Sequence, residues 1–256
     1  MLEVRNVTKR YGAVTAVRDV SFTVRPGEVL GYLGPNGSGK STTVKMLAGL
    51  MPPTFGTIRF DGADIQDNLI AYKTHVGYVP EEAHVYTYLT APEYLRLCGR
   101  LRHVPAATLE QKIDQFLVVL GLDTDRHATL AAFSKGMRQK VLLAAALIHN
   151  PRVVILDEPV SGLDVATALV LRTIVKALAA DGRIIFYSSH ELDTVEKIST
   201  RVMILRAGEV VADDSASNLR ELMHLPSLED VFSQLAVKDD VDAVAREMLN
   251  AVRLQP

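Results

Sequence analysis

The residues with the clearest chemical meaning form a glycine-rich loop, Gly-Pro-Asn-Gly-Ser-Gly-Lys-Ser-Thr, at positions 34–42. Glycines lack a Cβ atom, so the N–H groups of such a loop can turn inward and surround an anion. Lysine at this spacing can reach the β- and γ-phosphates of a nucleotide, and the next serine hydroxyl can bind Mg²⁺. A plain glycine-rich turn is the alternative, but Lys-Ser at this offset disfavours it. The expected phosphate-binding residues are Gly34, Pro35, Asn36, Gly37, Ser38, Gly39, Lys40, Ser41 and Thr42.

A second candidate for chemistry is the acidic pair Asp157 and Glu158, which follows the apolar run 153–156 and precedes Pro159. An aspartate there can hold Mg²⁺, and a glutamate can take a proton from an attacking water, which contributes roughly 10²–10⁴ in rate. An exposed acidic loop end is the alternative. The apolar run favours a buried parallel strand, whose carboxyl end is where α/β sheets bind ligands.

Three further patterns predict the elements that position these groups. Residues 28–33 read as a buried strand before the loop, and residues 41–49 read as a helix ended by glycine. Residues 183–188 predict another strand, which ends at His190, and the segments 201–205 and 210–212 predict a hairpin. Residues from about 91 to 120 turn helical, with Gly121 as a C-cap, and Ser134 is a candidate N-cap for the next helix.

Composition restricts the class of protein. The chain has 256 residues, of which 48% are hydrophobic and 23% charged, as in an ordinary globular protein. Its formal net charge of −2 gives no reason to expect a nucleic-acid partner. Its single cysteine excludes an internal disulfide, and its longest apolar run is far shorter than a membrane span. We therefore expect a soluble chain on the cytosolic side that reaches a membrane only through a partner.

Together these motifs resemble the nucleotide-binding subunit of ABC transporters over nearly the whole chain. Residues 153–159 are similar to that family's Walker B strand with its catalytic glutamate, and residues 161–164 to its D-loop, which includes Asp164. His190 is similar to the switch histidine that senses the γ-phosphate. Tyr11, a lone loop tyrosine on its own evidence, lies where the family stacks an aromatic ring on adenine.

Two departures from the family pattern affect expected site residues. Glu81 stands where most members have the Q-loop glutamine; a carboxylate can still bind Mg²⁺ but adds negative charge beside it. The signature segment keeps Ser134 and Gly136 but has Lys135 and Met137 in place of glycine and glutamine. Lys135 either attracts phosphate or points to solvent. Both departures resemble exporter-type cassettes whose membrane subunit is a separate polypeptide.

The resemblance implies an α/β P-loop NTPase fold with a mixed sheet, an N-terminal antiparallel β subdomain and an inserted α-helical subdomain. It implies an ATP-binding domain over residues 1–236, with the helical subdomain at approximately 89–150, followed by a helical tail over 237–256. The tail is equally consistent with packing on its own domain and with binding a partner.

The implied activity is ATP hydrolysis that powers transport, with export as the expected direction. Lys40, Glu158 and His190 are the expected catalytic residues, and Ser41, Asp157 and Glu81 the expected Mg²⁺ ligands. Two cassettes would pair head to tail with ATP between one phosphate loop and the other copy's signature helix. To change the ratio of closed to open pairs from 1:99 to 99:1, ATP must favour the closed state by about 5.5 kcal/mol. A transmembrane permease subunit would hold the pair at the cytoplasmic face of the membrane.

Three other classes remain for comparison. A soluble cassette ATPase that remodels protein, ribosome or DNA complexes usually has tandem cassettes, coiled-coil inserts or basic patches, which this chain lacks. A non-catalytic ATP-binding regulator is disfavoured because Lys40, Asp157, Glu158 and His190 are all retained. A P-loop kinase or GTPase is disfavoured because there is no Asn-Lys-x-Asp guanine motif. The transported substrate is not specified by this sequence.

Overall fold

The computed structural model describes residues 1–160 and 162–236, together with Met248 and Val252. Nearly all of the proposed tail over 237–256 lies outside the described residues, so its boundary and helical character stay predictions. The strands in the described part are β1 (Leu2–Tyr11), β2 (Val14–Val24), β3 (Val29–Leu33), β4 (Phe55–Phe60), β5 (Ala63–Asp64), β6 (Val76–Val79), β7 (Val153–Asp157), β8 (Ile184–Ser188), β9 (Arg201–Arg206) and β10 (Glu209–Asp214).

Helices alternate with these strands after the first subdomain. Those in the described part are α1 (Lys40–Leu47), α2 (Leu69–Thr74), α3 (Ala91–Leu101), α4 (Ala106–Val119), α5 (Lys135–Leu147), α6 (Val165–Ala180), α7 (Leu192–Ile198), α8 (Ala216–Met223) and α9 (Leu228–Ala236). A 3₁₀ turn covers Asp123–Asp125. The described helices include none with the length and hydropathy that crossing a bilayer requires.

Two sheets organise the fold, and they confirm the α/β class with a mixed sheet and a separate antiparallel sheet. The antiparallel sheet has the strand order β2-β1-β4-β5. The other sheet has the order β10-β9-β3-β8-β7-β6, in which only the β9–β10 pair is antiparallel. The carboxyl ends of β3, β7 and β8 therefore lie side by side at one edge, which is where a parallel sheet binds its ligand.

The central strands are buried on both faces, as their unbroken apolar sequences require. Ile155 of β7 packs into a core shared with the antiparallel sheet, α1 and α2, while Leu156 packs against α5, α6 and α7 on the opposite side. Both side chains are at most 1% exposed. Because the strand is packed from both sides, the residues at its end have a fixed position.

A third core belongs to α3, α4 and α5, which form the predicted helical insertion. Thr90 begins α3 with a capping box to Glu93, and Ser134 caps α5 by accepting a hydrogen bond from the N–H of Met137 at 3.2 Å. Helix α5 places Val141 in this third core and Leu142 in the core beneath the sheet. It therefore joins the insertion to the rest of the protein.

Candidate functional site

The predicted chemistry converges on a cavity of about 600 Å³ at the carboxyl ends of β3, β7 and β8. Most of its lining comes from three segments that are distant in sequence: the phosphate loop, the acidic pair after β7 and the turn after β8. Its lining residues are Ala16, Gly34, Pro35, Asn36, Gly37, Gly39, Lys40, Ser41, Thr42, Glu81, Asp157, Glu158, His190 and Phe232.

The loop has the backbone of a cradle that only glycine permits. Gly39 adopts φ +105°, and a Cβ atom there would collide with the carbonyl oxygen of Ala16. A Cβ atom on Gly34 would approach the carbonyl oxygen of Leu205 to 2.7 Å. Glycine at both positions lets the loop pass close to these carbonyl groups and reach the start of α1, where a helix N-terminus favours negative charge.

Lys40 lies at the centre of this cradle and is 8% exposed. Its Nζ donates hydrogen bonds to the carbonyl oxygens of Gly34 at 2.6 Å and Pro35 at 3.3 Å. Burial lowers the pKa of the Lys40 ammonium, while three nearby carboxylates, led by that of Glu158, oppose the shift. The ammonium is therefore held among groups that would also attract a metal ion.

Glu158 is the most constrained side chain of the site. It is 6% exposed, and its backbone has φ +47°, a left-handed conformation that costs a residue with a Cβ atom. Its N–H donates to the carbonyl oxygen of Ser188 at 2.9 Å, which anchors the residue to β8. Its carboxylate lies 3.2 Å from the donating hydroxyl of Ser189 and 2.9 Å from Nδ1 of His190. These contacts fix the orientation of one oxygen of the Glu158 carboxylate. The carboxylate itself remains at the cavity wall.

The three residues predicted to bind a divalent cation, Asp157, Glu81 and the hydroxyl-bearing Ser41, all line the cavity. Burial, together with the charges of Glu81 and Glu158, raises the pKa of Asp157 to about 6. A bound cation would relieve this repulsion. Two carboxylates and a hydroxyl, completed by phosphate and water oxygens, fit the hard, octahedral preference of Mg²⁺.

The signature segment and the D-loop adjoin each other rather than the cavity of their own chain. A Cβ atom on Gly136 would lie 2.9 Å from the carbonyl oxygen of Gly162. Asp164 caps α6, and its carboxylate accepts hydrogen bonds from the N–H of Thr167 at 2.8 Å and from its hydroxyl at 2.7 Å. Ser134, Gly136 and Asp164 thus remain outside the lining, as a site completed by a second copy would require.

Two other predicted residues lie differently than their sequence suggested. Tyr11 ends β1 instead of lying in the connection after it; its ring is 48% exposed and does not line the cavity. Ser38 is 2% exposed, so its side chain lies beneath the loop. Its N–H donates to the carbonyl oxygen of Pro35 and its own carbonyl accepts from the N–H of Gly208, so its backbone braces the loop.

Two lining residues were missed by sequence reasoning. Ala16 of β2 lies under the phosphate loop, and Phe232 of α9 contributes the only aromatic side chain among the residues that line the cavity. Helix α9 is fixed by Leu228 and Val231, both fully buried, and by a hydrogen bond from Arg206 to the carbonyl oxygen of Leu235 at 2.8 Å. No local sequence motif predicts that either residue lines the cavity, because each reaches it only through tertiary packing.

The position of Phe232 can be tested by fluorescence, because the chain contains no tryptophan. In a Phe232→Trp variant, we expect the emission of the single indole to change when magnesium and ATP are added, since the ligand would alter its surroundings. A Leu222→Trp variant is the matched control, because that position lies on the preceding helix, is 72% exposed and does not line the cavity. Unchanged emission from Trp at 232 at nucleotide saturation would contradict this placement.

Comparison with known proteins gives a consistent result. A family described as ABC transporter matches residues 17–161. An uncharacterized ABC transporter ATP-binding protein of Nostoc sp. is 40% identical over 80% of this chain, which spans 62% of that relative's length. The linearmycin resistance ATP-binding protein LnrL of Bacillus subtilis is 35% identical over 86% of this chain and 70% of its own.

Solved structures show the same similarity in three dimensions. A structure described as an ATP-binding subunit of an ABC transporter has a TM-score of 0.87 and 34% identity, and the match covers 92% of this chain and 99% of the other. The cassette MJ0796, in a dimeric post-hydrolysis state with ADP and Pi, has a TM-score of 0.77 and 25% identity over 84% of this chain and 98% of its own.

Proposed function

Since this chain belongs to the family of ABC transporter ATP-binding proteins, we propose that it hydrolyses ATP to power export through a separate membrane-spanning subunit. The observation that carries the proposal is the meeting of Lys40, Asp157, Glu158 and His190 around one cavity. Each has the chemistry that ATP hydrolysis requires, and they come from three separate segments of the chain. Chance packing does not account for such a set.

In the proposed reaction, the phosphate loop and α1 bind the triphosphate through N–H groups, and Lys40 exchanges its carbonyl partners for phosphate oxygens. Ser41, Asp157 and Glu81 would hold Mg²⁺, which would supply charge neutralisation at the phosphates. Glu158 receives the proton of the attacking water, and His190 contacts the γ-phosphate while holding the Glu158 carboxylate. The exposed ring of Tyr11 is available to stack on the adenine base.

Cassettes of this family dimerise, and we assign the second half of the site to a second copy of this chain or a homologous cassette. Ser134 and Gly136 lie at the N-terminus of α5, and Gly162, two residues before Asp164, adjoins Gly136. A helix N-terminus attracts phosphate. ATP bound to one copy would thereby attract the signature helix of the other, and hydrolysis would release it.

The membrane partner and the direction rest on the family and on one relative. Proteins of this family work with a transmembrane subunit, which would place this chain at the cytoplasmic face of the membrane. Export is supported by the similarity to a protein named for linearmycin resistance, because removing a toxic compound from the cell is one way to become resistant.

Affinity purification of the tagged chain from detergent-solubilised cells of its source tests this proposal. We expect a multi-span membrane protein to co-purify, with ATPase activity retained in the complex. The same tag on an unrelated soluble protein controls for capture by the resin. Recovery of only ribosomal, DNA-bound or other soluble partners would overturn the transport function and favour a soluble remodelling ATPase.

A further inference from the structure

A chain of hydrogen bonds extends from the Glu158 carboxylate away from the cavity. The hydroxyl of Ser189 donates to Glu158 at 3.2 Å and accepts a hydrogen bond from the N–H of Glu191 at 3.0 Å. Ser189 is fully buried, so no solvent competes for its hydroxyl. The backbone at Glu191 therefore determines which way this hydroxyl points.

The side chain of Glu191 extends this series of hydrogen bonds away from Ser189. It accepts a hydrogen bond from the Thr194 hydroxyl at 3.0 Å, and that hydroxyl accepts one from the Arg172 guanidinium at 2.5 Å. Thr194 is 1% exposed and Arg172 is half-buried. In such surroundings a charge-assisted hydrogen bond is stronger than at the surface, so the bond from Arg172 to Thr194 fixes the Thr194 hydroxyl, while the buried Nε of Arg172 has no hydrogen-bond partner among the described residues.

The two ends of this series of hydrogen bonds lie on different elements of the fold. Arg172 lies on α6, whose N-cap residue is Asp164, and Gly162 of the preceding D-loop adjoins Gly136 at the start of α5. Glu191 is the N-cap residue of α7 and immediately follows His190. The connection thus joins the helix expected to contact a second cassette to the turn that holds the catalytic carboxylate.

We propose that Arg172 is a positioning residue, which acts through Thr194, Glu191 and Ser189 to hold the Glu158 carboxylate in the orientation that accepts a proton from water. The proposal rests on the hydrolytic role of Glu158 proposed above. Arg172 touches neither nucleotide nor water in this scheme. Its effect is on the geometry of the base, where a displacement of about 1 Å can cost 10²-fold in rate.

The test is a kinetic comparison of full-length Arg172→Met, Arg172→Lys and Thr194→Val with the parent chain. Arg172→Met and Thr194→Val each break the connection, so we expect kcat to fall roughly 10- to 100-fold while the KM for ATP stays within about twofold. Arg172→Lys retains a donor and should recover part of the rate. Lys176→Met, an exposed residue one turn further along the same helix, should match the parent.

A double mutant distinguishes positioning from a general loss of stability. In the Glu158→Gln background, Arg172→Met should cause no further fall in single-turnover rate, because the group it positions has already been removed. The proposal would be overturned if the double mutant showed the sum of the two single-mutant losses in rate. It would also be overturned if Arg172→Met lowered the ATP affinity and the melting temperature along with the rate. Parental turnover in Thr194→Val would overturn it even if Arg172→Met failed to fold. A parent chain without ATPase activity would instead refute the proposed function itself.

Discussion

Replacing Glu158 by glutamine is expected to lower ATP turnover by at least roughly 10²-fold while ATP binding persists. The amide keeps the size of the side chain and can still accept a hydrogen bond from Ser189, so the backbone anchor to Ser188 should be undisturbed. What it loses is the ability to take a proton from water. Because the nucleotide is then bound but not cleaved, ATP-bound dimers should accumulate.

Single-turnover hydrolysis, equilibrium nucleotide binding and size-exclusion chromatography in ATP together measure these effects. Glu221→Gln, an exposed residue on α8, is the matched control and should behave as the parent chain does. Undiminished hydrolysis in Glu158→Gln would exclude Glu158 as the base. Loss of binding together with hydrolysis would instead indicate a structural role.

Replacing Lys40 by alanine is expected to weaken ATP binding by about tenfold to a hundredfold, the range that follows from losing charge-assisted hydrogen bonds of about 1.5–3 kcal/mol. The ammonium now lies between two loop carbonyls and near the carboxylates of Glu158, Asp157 and Glu81. Its removal takes away the cation that faces the phosphates and leaves the acidic groups without their balancing charge.

Titration with a fluorescent ATP analogue measures this loss. Lys40→Met retains much of the aliphatic volume of the side chain but removes its charge. It should therefore lose a similar amount of ATP affinity if the charge, and not the packing, is responsible. Lys176→Ala removes an exposed lysine from α6 and should leave the affinity unchanged. If Lys40→Ala binds ATP as the parent does, the loop does not hold the triphosphate.

The site residues within local motifs could be predicted from the sequence, because each motif lies within a single strand–loop–helix unit. The buried runs before Gly34 and Asp157 form β3 and β7, two parallel strands separated by β8, whose carboxyl ends meet at one edge of the sheet. Helix α6 begins directly after Asp164, whose side chain caps it by accepting a hydrogen bond from the N–H of Thr167, so its start is set by a local interaction.

The hairpin formed by β1 and β2 departs from the regular alternation on which strand prediction depends. Its alternation breaks where Asn6 and Asp19 both adopt φ +48°, and the register shifts on either side of Val7. The strands consequently extend further than an alternating pattern indicates, and Tyr11 lies in one of them. Phe232 and Arg172 escaped prediction because their partners are more than twenty residues away in sequence, and only packing brings them to the site.

The left-handed backbone at Glu158 has a consequence for engineering this protein. Holding a residue with a Cβ atom in that conformation costs of order 1–3 kcal/mol, which glycine or asparagine would largely avoid. Any redesign that ranks substitutions by folding stability alone will therefore favour removing the side chain on which turnover is proposed to depend. Position 158 should be held fixed in such work, and its thermodynamic cost accepted as a condition of activity.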